Sequence, residues 1–100
     1  MATFTVEHQT SLSKAETYKK VKKFFEDGDT LRKLDESIET TFNDHAHSGK
    51  VKGSKFECHL KVVGDEKATV QITVSLSFFL TPFKGKIEST LKEKIQKVLG

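Results

Sequence analysis

The first part of the chain alternates apolar and polar residues and then changes to a helical period. Phe4, Val6 and His8 alternate with polar neighbours, which predicts a strand with one buried face. Ser13 stands three residues before Glu16, the spacing of a capping box that begins a helix. One apolar stripe of this helix comprises Ala15, Tyr18, Val21, Phe24 and Phe25. The chain therefore opens with a strand and an amphipathic helix.

The middle of the chain predicts antiparallel strands joined by short turns. The first helix should end by Gly28, and Asp29 is placed to cap a short helical turn that runs to Asp35. Residues 46–51 are a candidate short strand, and alternation predicts strands at residues 38–43, 55–62 and 68–80. The tight connection at residues 64–66 makes a hairpin of the last two segments. This hairpin should present one continuous apolar face.

The segment 77–88, SFFLTPFKGKIE, contains the only proline of the chain. Pro82 lacks a backbone N–H, so a strand that includes Leu80 should end there. The apolar residues then change to a period of 3.6, as in a final helix with a stripe of Ile87, Leu91, Ile95 and Val98 or Leu99. We expect Leu80 and Phe83 to be buried under this helix, with Phe83→Ala costing about 3 to 5 kcal/mol.

Phe79 falls on the opposite face of the predicted strand from Phe78 and Leu80. That face is polar, since its other residues are Thr69, Gln71, Thr73, Ser75 and Ser77. Such a face is either solvated or covered by a second copy of the chain. Phe79 is therefore a candidate interaction residue, and a homodimer through the polar face is one expected assembly.

The element order predicts one α+β domain over residues 1–100. Each helix has one apolar stripe and each strand one apolar face, so the economical packing is an antiparallel sheet of four or five strands with two helices on one face. The order is β-α-β-β-β-(β)-α, which is helix-grip-like. A chain of this length should bury a single modest core.

The net charge of +3 changes this picture little. Lys19, Lys20, Lys22 and Lys23 lie together on the first helix, where a solvated face and a phosphate-binding surface are the two interpretations. The sequence contains no nucleic-acid-binding motif, so we expect no nucleic-acid partner. It contains no apolar run near the roughly 20 residues of a membrane span and no signal-peptide pattern, so we expect a cytoplasmic protein without a transmembrane segment.

Few residues are arranged for chemistry. His45 and His47 stand two apart and could point the same way, but Cys58 and His59 should face opposite sides of a strand. We therefore expect no metal site, and we expect Cys58 to be a buried, inert thiol that reagents label slowly in the native protein. No paired carboxylates, serine nucleophile motif or glycine-rich phosphate loop is present. The sequence predicts no catalytic residues, no cofactor and no enzymatic activity.

Both ends of the chain resemble a known family. The segment 8–16, HQTSLSKAE, resembles the opening of the polyhydroxyalkanoic acid granule or system protein family, small bacterial proteins whose first helix follows a similar His-x-x-Ser-Leu element. The segment 74–88, VSLSFFLTPFKGKIE, is similar to that family's long last strand and Leu-x-Pro-x-x-Gly-x-Ile corner. Gly49 and Gly53 fall where the family has a paired-glycine turn, and Phe42 stands where a tryptophan is usual.

The resemblance implies association with polyester storage granules, or their regulation, through contacts with the granule surface or with granule proteins. An apolar granule surface suits amphipathic helices edged by lysines. The alternative is a small carrier like the START-like lipid-binding domains, which hold a hydrophobic ligand between a sheet and a gripped C-terminal helix. Against a carrier, we expect the cavity of so short a chain to be filled by Phe24, Phe25, Phe56, Phe78 and Phe83.

Overall fold

The computed structural model describes residues 2–27, 36–64 and 67–99. Its elements are β1 (Ala2–Gln9), α1 (Lys14–Asp27), β2 (Glu39–Asn43), β3 (Ser48–Lys52), β4 (Phe56–Val63), β5 (Thr69–Leu76), a 3₁₀ turn (Thr81–Phe83) and α2 (Lys84–Leu99). The strands of these residues form one antiparallel sheet in the order β1-β5-β4-β3-β2. The predicted α+β class is confirmed, whereas the predicted turn at 29–35 lies outside the described residues.

The sheet has one apolar face because the strands pair with their alternations in register. Val6 lies opposite Ile72, and Ile72 opposite Leu60, so buried side chains form rows across the sheet. On the other face, the hydroxyls of Thr5 and Thr73 are 3.3 Å apart across a strand pair. The outer face is therefore polar, as the sequence predicts, and the core lies between the sheet and the helices.

Helix α1 begins at the predicted cap and buries a slightly different stripe from the predicted one. The backbone N–H of Glu16 donates to Ser13 Oγ at 3.3 Å, which satisfies an otherwise unpaired donor of the first turn. The buried face is centred on Val21, with Thr17 on one side and Tyr18 on the other. This orientation turns Ala15 into solvent, so its predicted place in the buried stripe is wrong.

Helix α2 follows its predicted stripe closely. Its buried residues are Ile87, Leu91, Ile95 and Leu99. The end of the helix is fixed to the end of β1, because Thr10 Oγ1 donates to the Leu99 carbonyl at 3.4 Å. Thr10 also donates its backbone N–H to the Ala68 carbonyl, at 2.9 Å. The helix thus lies along the apolar face of the sheet.

The chain leaves β5 four residues earlier than the alternation predicts. The Ser77 carbonyl accepts the N–H groups of Leu80 and Thr81, each at 3.1 Å, and so closes a turn directly after Leu76. Because of this turn, Phe78 no longer continues the strand, and its side chain is exposed rather than buried. Pro82 lies in the 3₁₀ turn, where its missing N–H costs no sheet hydrogen bond.

Leu80 and Phe83 behave differently beneath the start of α2. Leu80 is buried, as predicted. Phe83 is 54% exposed, so its predicted burial is wrong. The 3₁₀ turn brings Leu80 toward the sheet and leaves Phe83 at the edge, where only part of its ring is covered. No helix of the described ranges has the length and apolarity that crossing a membrane requires.

Candidate functional site

A cavity of about 350 Å³ lies between the sheet and α2. Its size is near the lower end of the roughly 300–1,000 Å³ typical of small-molecule sites. Its lining residues are Phe25, Phe56, Cys58, Val74, Leu76, Leu80, Phe83, Lys86, Ile87, Thr90 and Leu91. Nearly all of these side chains are apolar, so the cavity favours an apolar ligand.

The cavity has a flat wall and a ridged wall. The flat wall comes from β4 and β5, where Phe56 lies opposite Leu76 and Cys58 opposite Val74. The ridged wall comes from α2, whose lining residues recur at helical spacing. We call the sheet wall, Phe56, Cys58, Val74 and Leu76, the open end of the sheet. No side chain of the described residues fills the space between the two walls.

The expectation that five phenylalanines fill this space is wrong. Phe78 is in solvent, and Phe24 packs edge-on against Phe25 with ring centroids 5.1 Å apart, without lining the cavity. Phe25, Phe56 and Phe83 line its walls instead of occupying its centre. The structure therefore weakens the objection to a ligand carrier that the sequence raised.

The polar lining of the cavity comes from one side of α2. Lys86 and Thr90 are four residues apart, so they lie one turn apart on the same helix face. Lys86 is exposed and Thr90 is half-buried, so Lys86 lies nearer to solvent than Thr90. The described residues offer no carboxylate within 4.0 Å of the Lys86 ammonium. The cavity thus has an apolar interior and a cationic edge.

Cys58 is buried, as the sequence predicts, and its thiol forms part of the cavity wall. Burial raises the pKa of the Cys58 thiol to about 12. The reactive thiolate is therefore scarce at neutral pH. Cys58 is suited to an apolar wall rather than to nucleophilic chemistry.

Three exposed phenylalanines lie beside the cavity, and we call them the aromatic corner: Phe78, Phe79 and Phe83. They are 84%, 80% and 54% exposed, and they are the large hydrophobic side chains that the described ranges leave in solvent. Phe79 is exposed, but its predicted place on the polar face of the strand is wrong, because β5 ends at Leu76 and Phe79 lies in the turn that follows. The same early end of β5 exposes Phe78. Phe83 belongs to both features, since it also lines the cavity. Phe83 is therefore the residue that connects the aromatic corner with the cavity.

The opposite end of the same sheet face is tightly packed, and we call Tyr18, Phe42, His47 and Gly49 the closed end. The Phe42 ring lies over Gly49, where an added Cβ would be 2.5 Å from the ring. Gly49 lies in β3, opposite Phe42 of β2, so it is not part of the expected paired-glycine turn. Its missing side chain makes room for the ring. Gly53 does lie in the following turn, where its N–H donates to the Phe56 carbonyl at 2.9 Å.

Two hydrogen bonds at the closed end join α1 to Asp44, in the turn after β2. The Tyr18 hydroxyl donates to Asp44 Oδ1 at 2.6 Å, and Lys22 Nζ donates to the same oxygen at 3.2 Å. Lys22 is thereby held against Asp44 and above the Phe42 ring, whereas Lys19, Lys20 and Lys23 are exposed. Of the four candidate lysines, Lys22 is therefore partly covered and the other three are exposed.

The histidines do not converge. His47 packs edge-on against Tyr18 with ring centroids 5.3 Å apart, and His45 is exposed in the adjoining turn. His59 Nε2 lies 3.0 Å from Glu57 Oε1 on the outer face, opposite the side on which Cys58 is buried. Within residues 2–27, 36–64 and 67–99, no group of three or more His, Cys, Asp or Glu side chains is placed to hold a metal ion.

The sequence interpretation missed the lysine and threonine at the cavity edge. Neither Lys86 nor Thr90 belongs to the apolar stripe by which the sequence predicts the last helix. The available signal was their i, i+4 spacing beside the stripe of Ile87 and Leu91. That spacing identifies a polar margin to a buried helix face, although it does not reveal a cavity beneath it.

Solved structures share this fold at low sequence identity. The protein TTHA0849 from Thermus thermophilus is 10% identical with a TM-score of 0.62, and the match covers 98% of this chain and 92% of that one. Ara h 8.0201 is 15% identical with a TM-score of 0.56 over 98% and 92% of the two chains. XoxI from Bacillus cereus is 11% identical with a TM-score of 0.55 over 77% and 76%. These similarities support a helix-grip fold.

Sequence comparison gives the family. No curated protein matches the chain at a significant level. The sequence profile of the family described as "Putative polyhydroxyalkanoic acid system protein" matches residues 4–99, which include the cavity, the aromatic corner and the closed end. The predicted resemblance is confirmed over nearly the full length: the chain belongs to the polyhydroxyalkanoic acid system protein family.

Proposed function

We propose that the protein acts without catalysis in the polyhydroxyalkanoate system and contacts an apolar polyester granule surface through the aromatic corner. The observation that carries this proposal is the exposure of Phe78 and Phe79, at 84% and 80%. Exposed large apolar side chains that lie together commonly mark an interaction site. A polyester surface is apolar enough to take up both rings.

The charges near the corner are compatible with this contact. Lys84 and Lys86 follow the aromatic corner on the first turn of α2, which contains no acidic residue. Rings surrounded by lysines are typical of segments that lie on an apolar phase bearing anionic groups. The exposed lysines of α1, Lys19, Lys20 and Lys23, are the second part of the proposed surface.

The absence of catalysis is part of the proposal and rests on the cavity lining. Its lining residues within the described ranges include neither a carboxylate nor an imidazole, the usual groups of general acid–base catalysis. Its thiol has a raised pKa because it is buried. The cavity is thus better suited to holding a ligand than to changing it.

The test is co-sedimentation with polyhydroxybutyrate particles. We expect the double variant Phe78→Ser with Phe79→Ser to lose at least about tenfold in particle binding while its melting temperature changes little, because both rings are exposed. Lys19→Gln with Lys20→Gln tests the second part of the proposed surface and should reduce binding less. Unchanged binding of the phenylalanine variant would contradict docking through this corner.

A ligand carrier is the second candidate function, and the 350 Å³ cavity favours it. Its test is native mass spectrometry of protein purified without detergent. A bound apolar molecule that is released on denaturation would support the carrier. Repeated absence of such a molecule, together with no uptake of added alkyl ligands, would contradict it.

A homodimer through the polar sheet face remains a prediction. The hydroxyl pairs Thr3–Ser75 and Thr5–Thr73 lie across β1 and β5 on this face, 3.4 and 3.3 Å apart. Light scattering of the wild type and of a Thr5→Lys variant measures the assembly. A dimer that this charge does not weaken would contradict pairing through the face.

A further inference from the structure

We propose that the cavity binds one single-chain aliphatic carboxylate of about ten carbons, with the chain between the sheet and α2 and the carboxylate at Lys86 and Thr90. The inference rests on the carrier function proposed above as the second candidate and adds the class of ligand. It follows from the volume of the cavity, the distribution of its polar groups and the charge at its mouth.

The volume limits the ligand to one chain. At about 30 Å³ for each group of water-like size, 350 Å³ holds roughly a dozen such groups. One chain of about ten carbons with a small head group fills this space. A lipid with two long chains does not fit, because its chains alone need several times this volume.

The distribution of polar groups gives the ligand an orientation. The sheet wall, formed by Phe56, Cys58, Val74 and Leu76, is buried and has no charged group. Thr90 lies at the margin on α2, and Lys86 lies one turn nearer the mouth. A ligand that is apolar along its length and polar at one end therefore matches the cavity in one direction.

The charge at the mouth selects an anion. The Lys86 ammonium has no ion pair with a described carboxylate, and Lys84 adds a second positive charge in the same helical turn. The first turn of α2 also contains no acidic residue that would repel a carboxylate. A carboxylate at Lys86 can accept from the ammonium and from the Thr90 hydroxyl together.

The first experiment is calorimetric titration of the wild-type protein with straight-chain carboxylates of six to sixteen carbons. Affinity should rise roughly fourfold for each added methylene up to about ten or twelve carbons, because each buried methylene contributes a similar transfer free energy. Beyond that length it should level off, since the cavity is full. An affinity that does not depend on chain length would overturn the proposal.

The second experiment compares decanoate with 1-decanol in charge variants. Lys86→Gln should weaken decanoate binding by roughly two- to fivefold, as expected for a solvent-exposed ion pair, and leave 1-decanol unchanged. Lys84→Gln is the matched control, because Lys84 does not line the cavity, and it should change either affinity less. Equal loss of both ligands in Lys86→Gln, or no loss of decanoate, would overturn the assignment of the carboxylate.

The third experiment blocks the cavity and reads its occupancy directly. Val74→Phe should abolish binding of both decanoate and 1-decanol. In the folded wild type, decanoate should slow labelling of the Cys58 thiol by a small apolar maleimide, because the thiol lines the same space. Decanoate binding that neither protects Cys58 nor responds to Val74→Phe would place the ligand elsewhere and overturn the proposal.

These outcomes separate the inference from the functions on which it depends. Binding of 1-decanol without preference for decanoate refutes the carboxylate class and leaves a carrier standing. No uptake of any alkyl ligand refutes both the inference and the carrier. The variant Phe78→Ser with Phe79→Ser should still bind decanoate, so loss of particle binding alone concerns only the granule surface.

Discussion

The closed and open ends occupy the same face of the same sheet, yet they are packed in opposite ways. At the closed end the Phe42 ring fills the space over Gly49, and an added Cβ would lie 2.5 Å from it. At the open end, over Phe56 and Leu76, the face leaves about 350 Å³ empty. The side chains at both ends lie on the core face because their strands pair in register. Alternation therefore determines which face a side chain takes, and individual residue sizes determine whether the space above it is filled.

The largest expected effect comes from enlarging one buried valine beside each end. Val62 lies beside the closed end, because its N–H donates to the His47 carbonyl. Val62 and Val74 are both buried on the core face, but only Val74 lines the cavity. Val62→Phe should reduce the free energy of unfolding by about 3 kcal/mol, because it overfills a close-packed core. Val74→Phe should change it by less than about 1 kcal/mol, since the added ring enters the cavity. Urea unfolding measures the free energy of unfolding of both variants. Equal losses would contradict the difference in packing between the closed and open ends.

A second expected effect concerns Gly49 itself. Gly49→Ala should cost about 2 kcal/mol, because the added Cβ would meet Phe42 at 2.5 and 2.7 Å. In a Phe42→Ala background the same change should cost little, so a double-mutant cycle isolates the contact. Gly85→Ala is the matched control, because its added Cβ meets nothing within 4 Å. A loss in Gly49→Ala that persists without the Phe42 ring would refute this account of the closed end.

A smaller effect concerns the contact between Tyr18 and Asp44. Tyr18→Phe should cost about 1 kcal/mol at pH 7, the net contribution of a typical hydrogen bond. The hydrogen bonds from Tyr18 and Lys22 lower the pKa of Asp44 below its ordinary value of 3.8. The stability from ionised Asp44 is therefore present above about pH 4 and is lost as the pH falls through the lowered pKa.

The measurement for this contact is the difference in unfolding free energy between the wild type and Tyr18→Phe at several pH values. The difference should shrink below about pH 4, as the Asp44 carboxylate becomes protonated. Asn43→Ala is a comparison variant that removes the hydrogen bond from the Ala46 N–H to Asn43 Oδ1 in the same turn and keeps the carboxylate and both its donors. A difference between wild type and Tyr18→Phe that is the same at neutral pH and in strong acid would contradict the role given to Asp44.

The smallest effect is expected at Phe83. The sequence predicts that Phe83→Ala costs about 3 to 5 kcal/mol, but a ring that is 54% exposed loses far less burial, and we expect a loss below about 1 kcal/mol. Leu80→Ala is the contrasting variant, because Leu80 is buried and should cost about 2 kcal/mol or more. Melting curves compare the stability losses of the two variants. Similar losses would contradict the small effect expected here and support the burial of Phe83 that the sequence predicts.

The sequence predicts the elements well and the space between them poorly. Strict alternation identifies β4 and β5, and the i, i+4 stripe of α2 is buried as expected. The alternation through Phe78 and Leu80 extends β5 too far, because a turn at Ser77 depends on backbone hydrogen bonds that the apolar pattern does not encode. A pattern of apolar residues does not show whether the sheet and α2 leave a cavity between them.

The contacts at the closed end depend on residues far apart in the chain. Tyr18 and Asp44 are 26 positions apart, and neither has a local pattern that pairs them. The family resemblance draws attention to Phe42 and Gly49. The fit of the ring over the glycine depends on the register of β2 and β3, which places these two residues opposite each other. Packing of this kind arises from tertiary structure and is not contained in periodicity.

The proposed cavity ligand would also link folding to its own supply, because it would fill an apolar space inside a small domain. A molecule that binds only the folded chain shifts the unfolding equilibrium, by about 2.7 kcal/mol when its concentration is about a hundred times its dissociation constant. Domains are stable by only about 5–15 kcal/mol, so this shift is a large fraction of the total. The fraction of folded chain, and hence its survival against proteolysis, would rise and fall with the ligand.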